Sequence, residues 1–279
     1  MNTRLRYVSL VLFCVAALTP AGALAQQQTT LKSRPCPRTP CISRTGETIV
    51  DSKIPDDPAI EKLLKPYSGK VRALNVVIGR LVGELRKAGV GAGSLGNFVT
   101  EGIRSQASLK LGKPVMLAVT NSGGLRKNTI AEGELRASDI FELMPFENAL
   151  VQVDLTGEQL TKLLTVILES KDAQSGAKIR YRMNGEKPEL VSVKLLNAQG
   201  QETEIDPKAT YSIVTIDYLL SLGSGRYSIL QSGKNPTPLG LTLRDAMMNY
   251  VKAETAAGRP IRSTLDARFE DVNPGGQPK

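Results

Sequence analysis

Residues 116–130 read MLAVTNSGGLRKNTI: an apolar, β-branched run meets an Asn, passes a Ser and two glycines, and ends on an arginine. The run from Pro114 to Thr120 has the length and the lack of polar positions of a buried strand. The glycines after it give the backbone access to positive φ and to close approach of a ligand. Consecutive amides in such a turn form a concavity suited to an anion. Arg126, two residues after Gly123-Gly124, adds a planar, permanently charged fork that matches phosphate or carboxylate. By itself a Gly-Gly turn followed by a surface arginine is commonplace, so the surrounding sequence has to decide what this one means.

Outward from that turn the chain alternates without a regular β-α period. Toward the N-terminus, Ile60, Leu63, Leu64, Tyr67, Val71, Leu74 and Ile78 recur at spacings of three and four, which predicts a helix that Pro66 bends, interrupts or divides. The sequence GVGAGS breaks the chain, and SLGNFVTEGIRSQASLK resumes a helix with Ser94 as N-cap. Toward the C-terminus, ASDIFELM predicts a short helix capped by Ser138 or Asp139, and ALVQVDL a strand with one wet face. TGEQLTKLLTVILES opens with Thr156 and Gln159 in capping-box spacing. KIRYRM, LVSVKLL, ETEI and TYSIVTI follow as strands, with NAQGQ a turn between two of them, and TLRDAMMNYVKAE closes as a helix. The pattern predicts an α+β (mixed α/β) fold, a mixed sheet with packed helices.

The first 25 residues predict a secretory signal: Arg4 and Arg6, an apolar run from Tyr7 to Leu18, then Pro20 and an Ala23-x-Ala25 cleavage site. An uncleaved anchor is the competing reading, although the run is short for a span and no later segment is longer. Cys14 leaves with the signal, and Cys36 and Cys41 remain in PCPRTPC, an even pair in an exporting context. They read as a short disulfide rather than a metal site, because two thiolates have no partners nearby and the chain has no histidine. The chain carries a net charge of +9; without Arg4 and Arg6, 34 basic residues face 27 acidic ones. This favours anionic partners, but basic residues scattered among acids and 4% aromatic content give no nucleic-acid recognition motif.

Four ordered motifs give the turn its context. They are SLGNFVTEGIR (94–104), TNSGGLR (120–126), GELRASDIFELMPFENALVQVDLTGEQL (133–160) and YSIVTIDYLLSLGSGRY (211–227). In order and spacing they resemble the C-terminal, substrate-binding domain of the 5'-nucleotidase family, over roughly residues 56–265. The lead-in DPAIEKLLKPYSGKVRALNVVIG looks like the segment that joins the family's two domains. The resemblance implies a nucleotide or nucleoside ligand. Asn121 and Arg126 match the loop that contacts substrate and phosphate, with Gly123 and Gly124 forming its turn and Ser122 replacing a glycine. Phe146 and Tyr218 match two aromatics that sandwich the base, and Asn148 matches a residue bonding its edge. Stacking of this kind is worth about 1–3 kcal/mol per base in nucleic-acid systems.

Departures from the family pattern shape the functional expectation. Ser224 in LGSGRY stands where the family's ribose-binding aspartate is expected, with Arg226 inserted, so a charged bidentate acceptor is lost. The family's earlier phosphate-binding arginine falls within AGVGAGS, and Arg86 does not align with it. Two-metal phosphoester hydrolysis needs Asp, His and Asn ligands and a further His, and this chain contains no histidine. Ser-His-Asp and Cys-His arrangements fail for the same reason, and the carboxylates of ELRASDIFE and DLTGE read as helix caps and solvated faces.

The expected organisation is a signal (1–25), a polar leader with the Cys36/Cys41 staple (26–55), a helical linker-like segment (56–80), the nucleotidase-like domain (81–265) and a flexible tail (266–279). The expected function is an exported, periplasmic or secreted nucleotide-binding unit with no catalytic residue, no metal of its own and no stable membrane span after signal cleavage. Divalent metals are expected only on a separate metallophosphoesterase chain. A stand-alone module for a nucleotide or other phosphorylated ligand, and a structural or interaction domain with a degenerate site, are the alternatives.

Overall fold

The computed structural model describes residues 51–274, apart from 198, 223 and 224. The expectations for the signal, most of the leader, the Cys36–Cys41 pair, Ser224 and the last five residues therefore lie outside the described residues. Chain contacts separate 1–55 from 56–279, and the elements below belong to the second unit.

Asp57 caps the first helix, α1 (Pro58–Ala73), by accepting the Ala59 N–H at 2.7 Å, with Pro58 at the first position. Pro66 lies inside this helix without dividing it. The helical pattern expected through Ile78 stops earlier, because Val76, Val77 and Ile78 form a β-branched run. Val77 and Ile78 enter β1 (Val77–Val82), followed by β2 (Leu85–Arg86). α2 (Gly93–Leu111) starts from Ala92, whose φ is 56°, and not from a Ser94 cap; the Ser94 hydroxyl instead accepts the Arg86 N–H at 2.9 Å. β3 (Leu117–Thr120) is fully buried and leads into the Asn121 turn, after which come β4 (Thr129–Ile130) and β5 (Gly133–Arg136). α3 (Ala137–Leu143) is closed by Asp139, which accepts the Arg136 N–H at 2.9 Å; the Ser138 N–H is instead bonded to the Leu74 carbonyl.

β6 (Ala149–Thr156) runs into α4 (Gly157–Glu169) through the capping box read from sequence: Thr156 N–H to Gln159 Oε1 at 2.8 Å and Gln159 N–H to Thr156 Oγ1 at 3.3 Å. Then come β7 (Ala173–Ser175), β8 (Ala177–Asn184), β9 (Lys187–Leu196), β10 (Glu202–Thr203) and β11 (Thr210–Ile216). α5 (Asp217–Ser221) and α6 (Ser228–Gln231) are short. β12 (Lys234–Thr242) was not legible in sequence, because Pro236 and Pro238 argue against a strand. Its place at the edge of a sheet tolerates them. α7 (Leu243–Ala256) is capped by Thr242, and β13 (Ile261–Arg262) and β14 (Phe269–Asp271) complete the chain. The expected flexible tail from residue 266 is corrected by β14, which pairs in parallel with β8, and by Arg268, buried between Asp266 and the Gln174 carbonyl.

The result is a mixed α/β architecture. Its central sheet has the order β12-β6-β11-β3-β7, with β11 and β3 parallel and the other neighbours antiparallel. A second sheet, β10-β9-β8-β14, and smaller pairings β13-β1-β5 and β2-β4 surround it. α2 packs on β3, β7 and α7, and α4 on β6 and β9. The α2–α7 crossing is close enough that a Cβ on Gly102 would meet Met247 Sδ at 2.4 Å.

Candidate functional site

The central sheet brings three chain segments to one end. β3 and β11 are parallel neighbours, so the turn after Thr120 and α5 after Ile216 leave from the same side. β6 is antiparallel to β11 with Leu150 opposite Ile216, so the loop entering β6 arrives there too. The carboxyl ends of parallel strands are the usual place for a ligand in such sheets. A cavity of about 320 Å³ lies at that end, lined by Asn121, Gly123, Gly124, Arg126, Phe146, Asn148 and Tyr218. Seven of the eight ligand residues expected from sequence therefore share one wall-to-wall site.

The turn works differently from the expectation. Neither Gly123 nor Gly124 has a positive φ. The glycines provide room for the Asn121 side chain, since a Cβ on Gly124 would sit 3.2 Å from Asn121 Oδ1 and one on Gly123 3.5 Å from Nδ2. A backbone anion nest is also not what the turn offers. The Gly124 and Leu125 amides close it onto the Asn121 and Ser122 carbonyls, the Ser122 amide goes to Asp172, and the Arg126 amide to Leu143. Charge for an anion comes from the Arg126 side chain. It is exposed, its guanidinium donates only to the Gly123 carbonyl at 3.4 Å, and among the described residues no carboxylate pairs with it. Neighbouring Lys127 is committed to Asp139 and Glu142 at 3.0 and 2.7 Å. Burial pushes the Lys127 ammonium down, but those two acids outweigh it and hold its pKa above the ordinary value.

Phe146 and Tyr218 are each 46% exposed, unusual for aromatics in a chain with so few. The ring pair in contact among the described residues is Phe98–Tyr250, so Phe146 and Tyr218 are not packed on each other. The 146–148 loop is fixed from behind. Glu147 pairs with Arg244 of α7, Arg244 lies 4.4 Å over the Phe141 ring, and the Asn148 carbonyl accepts the Leu243 N–H at 2.8 Å. Asn121 Oδ1 is buried and has no hydrogen-bond partner among the described residues. That acceptor is packed against Gly124 of the turn.

Three supporting groups were not singled out from sequence. Asp172, 3% exposed, accepts the Ser122 N–H at 2.6 Å and the Tyr227 hydroxyl, holding the turn in place. Burial pushes its carboxyl above the ordinary value, against the pull of the Tyr227 and Ser122 hydrogen bonds and the Arg226 charge. Nothing in the run SKDAQS marks it, and Tyr227 stands inside a quoted motif without a role of its own. The third is Lys87, whose ammonium donates to the Leu125 carbonyl at 3.0 Å, behind the turn. Arg86 plays no part here: it pairs with Glu84 and lines a separate hollow with Gly89 and Phe269.

The residues do not fit a hydrolytic metal centre. The chain has no histidine, and among the described residues no group of three His, Cys, Asp or Glu side chains is placed to hold a metal. No helix among them is long and apolar enough to cross a membrane.

Comparison with known proteins bears on the family and the fold. The family profile described as 5'-nucleotidase, C-terminal domain, matches residues 73–232. The Trifunctional nucleotide phosphoesterase protein YfkN of Bacillus subtilis (strain 168) is 26% identical over 188 residues, 64% of this chain and 12% of that protein. The 5'-nucleotidase of Vibrio vulnificus (strain CMCP6) is 29% identical over 143 residues, 50% of this chain and 24% of that one. In structure, the 5'-nucleotidase precursor of Thermus thermophilus superposes with a TM-score of 0.65 at 23% identity, covering 78% of this chain and 44% of that one. The chain thus spans less than half the length of each of these relatives. With the profile matching more than half its residues, this chain belongs to the 5'-nucleotidase C-terminal domain family.

Proposed function

We propose that the chain is an exported nucleotide-binding unit. It presents a 5'-nucleotide to a metallophosphoesterase carried on a separate chain, which supplies the divalent metals and the hydrolysis. The observation that supports this reading is the convergence of Asn121, Arg126, Phe146, Asn148 and Tyr218, from three separate segments, on one cavity. The base stacks between Phe146 and Tyr218, and Asn148 bonds its edge. Arg126, free of acidic partners among the described residues, takes the phosphate in a charge-assisted bond. The cavity volume lies at the lower end of the ~300–1,000 Å³ usual for small-molecule sites, enough for the base with ribose and phosphate toward the mouth. By sequence, Ser224 puts a neutral hydroxyl where the resemblance expects the ribose-binding carboxylate. In this reading the chain's own role is to bind and orient.

Calorimetric titration of residues 26–279 with adenosine and with AMP tests the proposal. AMP is expected to bind at least about tenfold more tightly, since a hydrogen bond to a charged group contributes about 1.5–3 kcal/mol. Arg126→Ala should abolish that preference and leave adenosine binding intact, whereas Phe146→Ala and Tyr218→Ala should weaken both ligands alike. A folded protein giving no heat with either ligand removes independent binding. AMP hydrolysis by the mixture of this chain with a metallophosphoesterase chain, absent with either alone, tests the division of labour.

A further inference from the structure

Helix α1 is the one long element among the described residues that the fold leaves without a partner. None of its sixteen residues is buried. Ile60, Leu63, Leu64, Tyr67 and Val71 are between 52% and 64% exposed. Positions 60, 64, 67 and 71 are apolar, spaced four, three and four, which is the seam one helix offers to another; Leu74, next in the series, lies past the helix and packs against the domain core. The helix is also intrinsically weak. Pro66 removes a backbone donor in its interior, and Ser68 and Gly69 come soon after it. An isolated segment of this length is marginal even with a favourable sequence, so a packed face has to stabilise it. Its C-terminal end is pinned to the domain: the Ser138 N–H donates to the Leu74 carbonyl at 2.8 Å, and Arg136 Nη1 to the Asn75 carbonyl at 2.6 Å. Those bonds hold the helix base and leave the stripe clear.

We propose that the occupant of this stripe is the α1 of a second copy of the chain, packed antiparallel about a two-fold axis between Lys65 and Pro66. The charge distribution selects this partner and this orientation. Asp56, Asp57 and Glu61 lie at the N-terminal end of the helix, Lys62 and Lys65 in its middle, and Lys70 and Arg72 at its C-terminal end, so the first half carries a net negative charge and the second a positive one. An antiparallel pair sets each acidic end against the basic end of its copy and also opposes the helix dipoles. A parallel pair would bring acids to acids. The exposed apolar seam is centred between residues 65 and 66, so the antiparallel pair sets 60 against 71 and 64 against 67, the isologous contact that closes a dimer. A face shaped for an unrelated chain has no need of this self-complementarity. The nucleotide cavity does not enter the argument, and the two proposals stand or fall separately.

Sedimentation of residues 26–279 across a concentration series tests it. The expected result is a reversible monomer–dimer equilibrium. The double variant Leu64→Glu/Tyr67→Glu should raise the dissociation constant at least about tenfold with the circular dichroism of the domain retained, because both side chains are exposed. Glu61→Lys should weaken the dimer, and adding Lys70→Glu and Arg72→Glu to that variant should restore it. A wild-type chain that stays monomeric throughout, or a dimer indifferent to the double variant, overturns the proposal. Hydrogen exchange separates the other occupants. Protection of 58–73 in a monomer that disappears on deleting 26–50 assigns the stripe to the chain's own leader. Protection acquired only on adding a metallophosphoesterase chain assigns it to that chain. Either outcome also overturns the dimer.

Discussion

α1 and α4 are both amphipathic helices, of sixteen and thirteen residues, and both announce an apolar stripe in the sequence. α4 buries Leu160, Leu163, Leu164, Ile167 and Leu168 beneath β6 and β9, while α1 buries nothing. The difference lies in how the two helices are tied in at their ends. α4 is entered through a reciprocal capping box from the central sheet and turns back through Asp172 into β7, so both its ends belong to the core. α1 touches the domain just past its C-terminus, through backbone hydrogen bonds and the Leu74 side chain. Periodicity reports that a face exists; only the connections at the ends of a helix decide whether this chain covers it.

Matched leucine truncations give the widest contrast between the two. Leu164→Ala in α4 removes a fully buried side chain and should lower stability by about 2–5 kcal/mol in denaturant titration. Leu64→Ala in α1 should change the stability of the monomer by no more than about 0.5 kcal/mol. Equal losses would mean that α1 is buried in solution and would erase the distinction. Next in size is Asp172→Ala, just past the end of α4. It leaves the Tyr227 hydroxyl and the Ser122 amide without their acceptor, at about 1–3 kcal/mol per unsatisfied buried group. Adenosine and AMP should both bind more weakly to this variant, because the turn bearing Asn121 and Arg126 loses its support. Thr156→Ala, which opens the α4 capping box, should cost about 1 kcal/mol and leave binding unchanged.

The site was more legible than the framework that holds it. Asn121, Arg126, Phe146, Asn148 and Tyr218 stand in ordered motifs whose resemblance to the family groups them, and one cavity receives them. The supporting interactions are tertiary and leave no local trace. Asp172 gains its importance by being buried opposite Ser122 and Tyr227, fifty and fifty-five residues away. β14 has three residues and exists because β8 offers it an edge, so a polar C-terminal stretch reads as a tail until its partner is known. β12 is masked by its prolines, which an edge position accepts and a central one would not. Ile78 keeps the helical spacing of α1 by coincidence, and the β-branched run around it outweighs that spacing once β5 is available for pairing.

The smallest effect concerns pH and isolates the group that ties α4 to the site. The Asp172 carboxyl is raised because burial disfavours its ionised form more than Tyr227, Ser122 and Arg226 favour it. The folded chain therefore holds this proton more tightly than the unfolded chain, whose aspartate titrates at its ordinary value near 3.8. Between those two values the folded state binds more protons, so the contribution of this group to stability falls as pH rises. It is fully present below the ordinary value and lost by the time pH has passed the raised one. Other carboxylates run the opposite way: Asp154 and Glu189 are held below their ordinary values, chiefly by hydrogen bonds from Ser212 and Asn184. The raw stability of the protein will therefore not display the effect. The difference between wild type and Asp172→Asn will, since asparagine keeps a hydrogen-bonding oxygen but does not titrate. Measured by denaturant titration from about pH 3 to pH 7, wild type should lose ground to the variant just above pH 3.8 and run level with it thereafter. A difference that grows in favour of wild type over that window would mean the hydrogen bonds from Ser122 and Tyr227 outweigh burial. The turn would then rest on a carboxylate stabilised in its charged form.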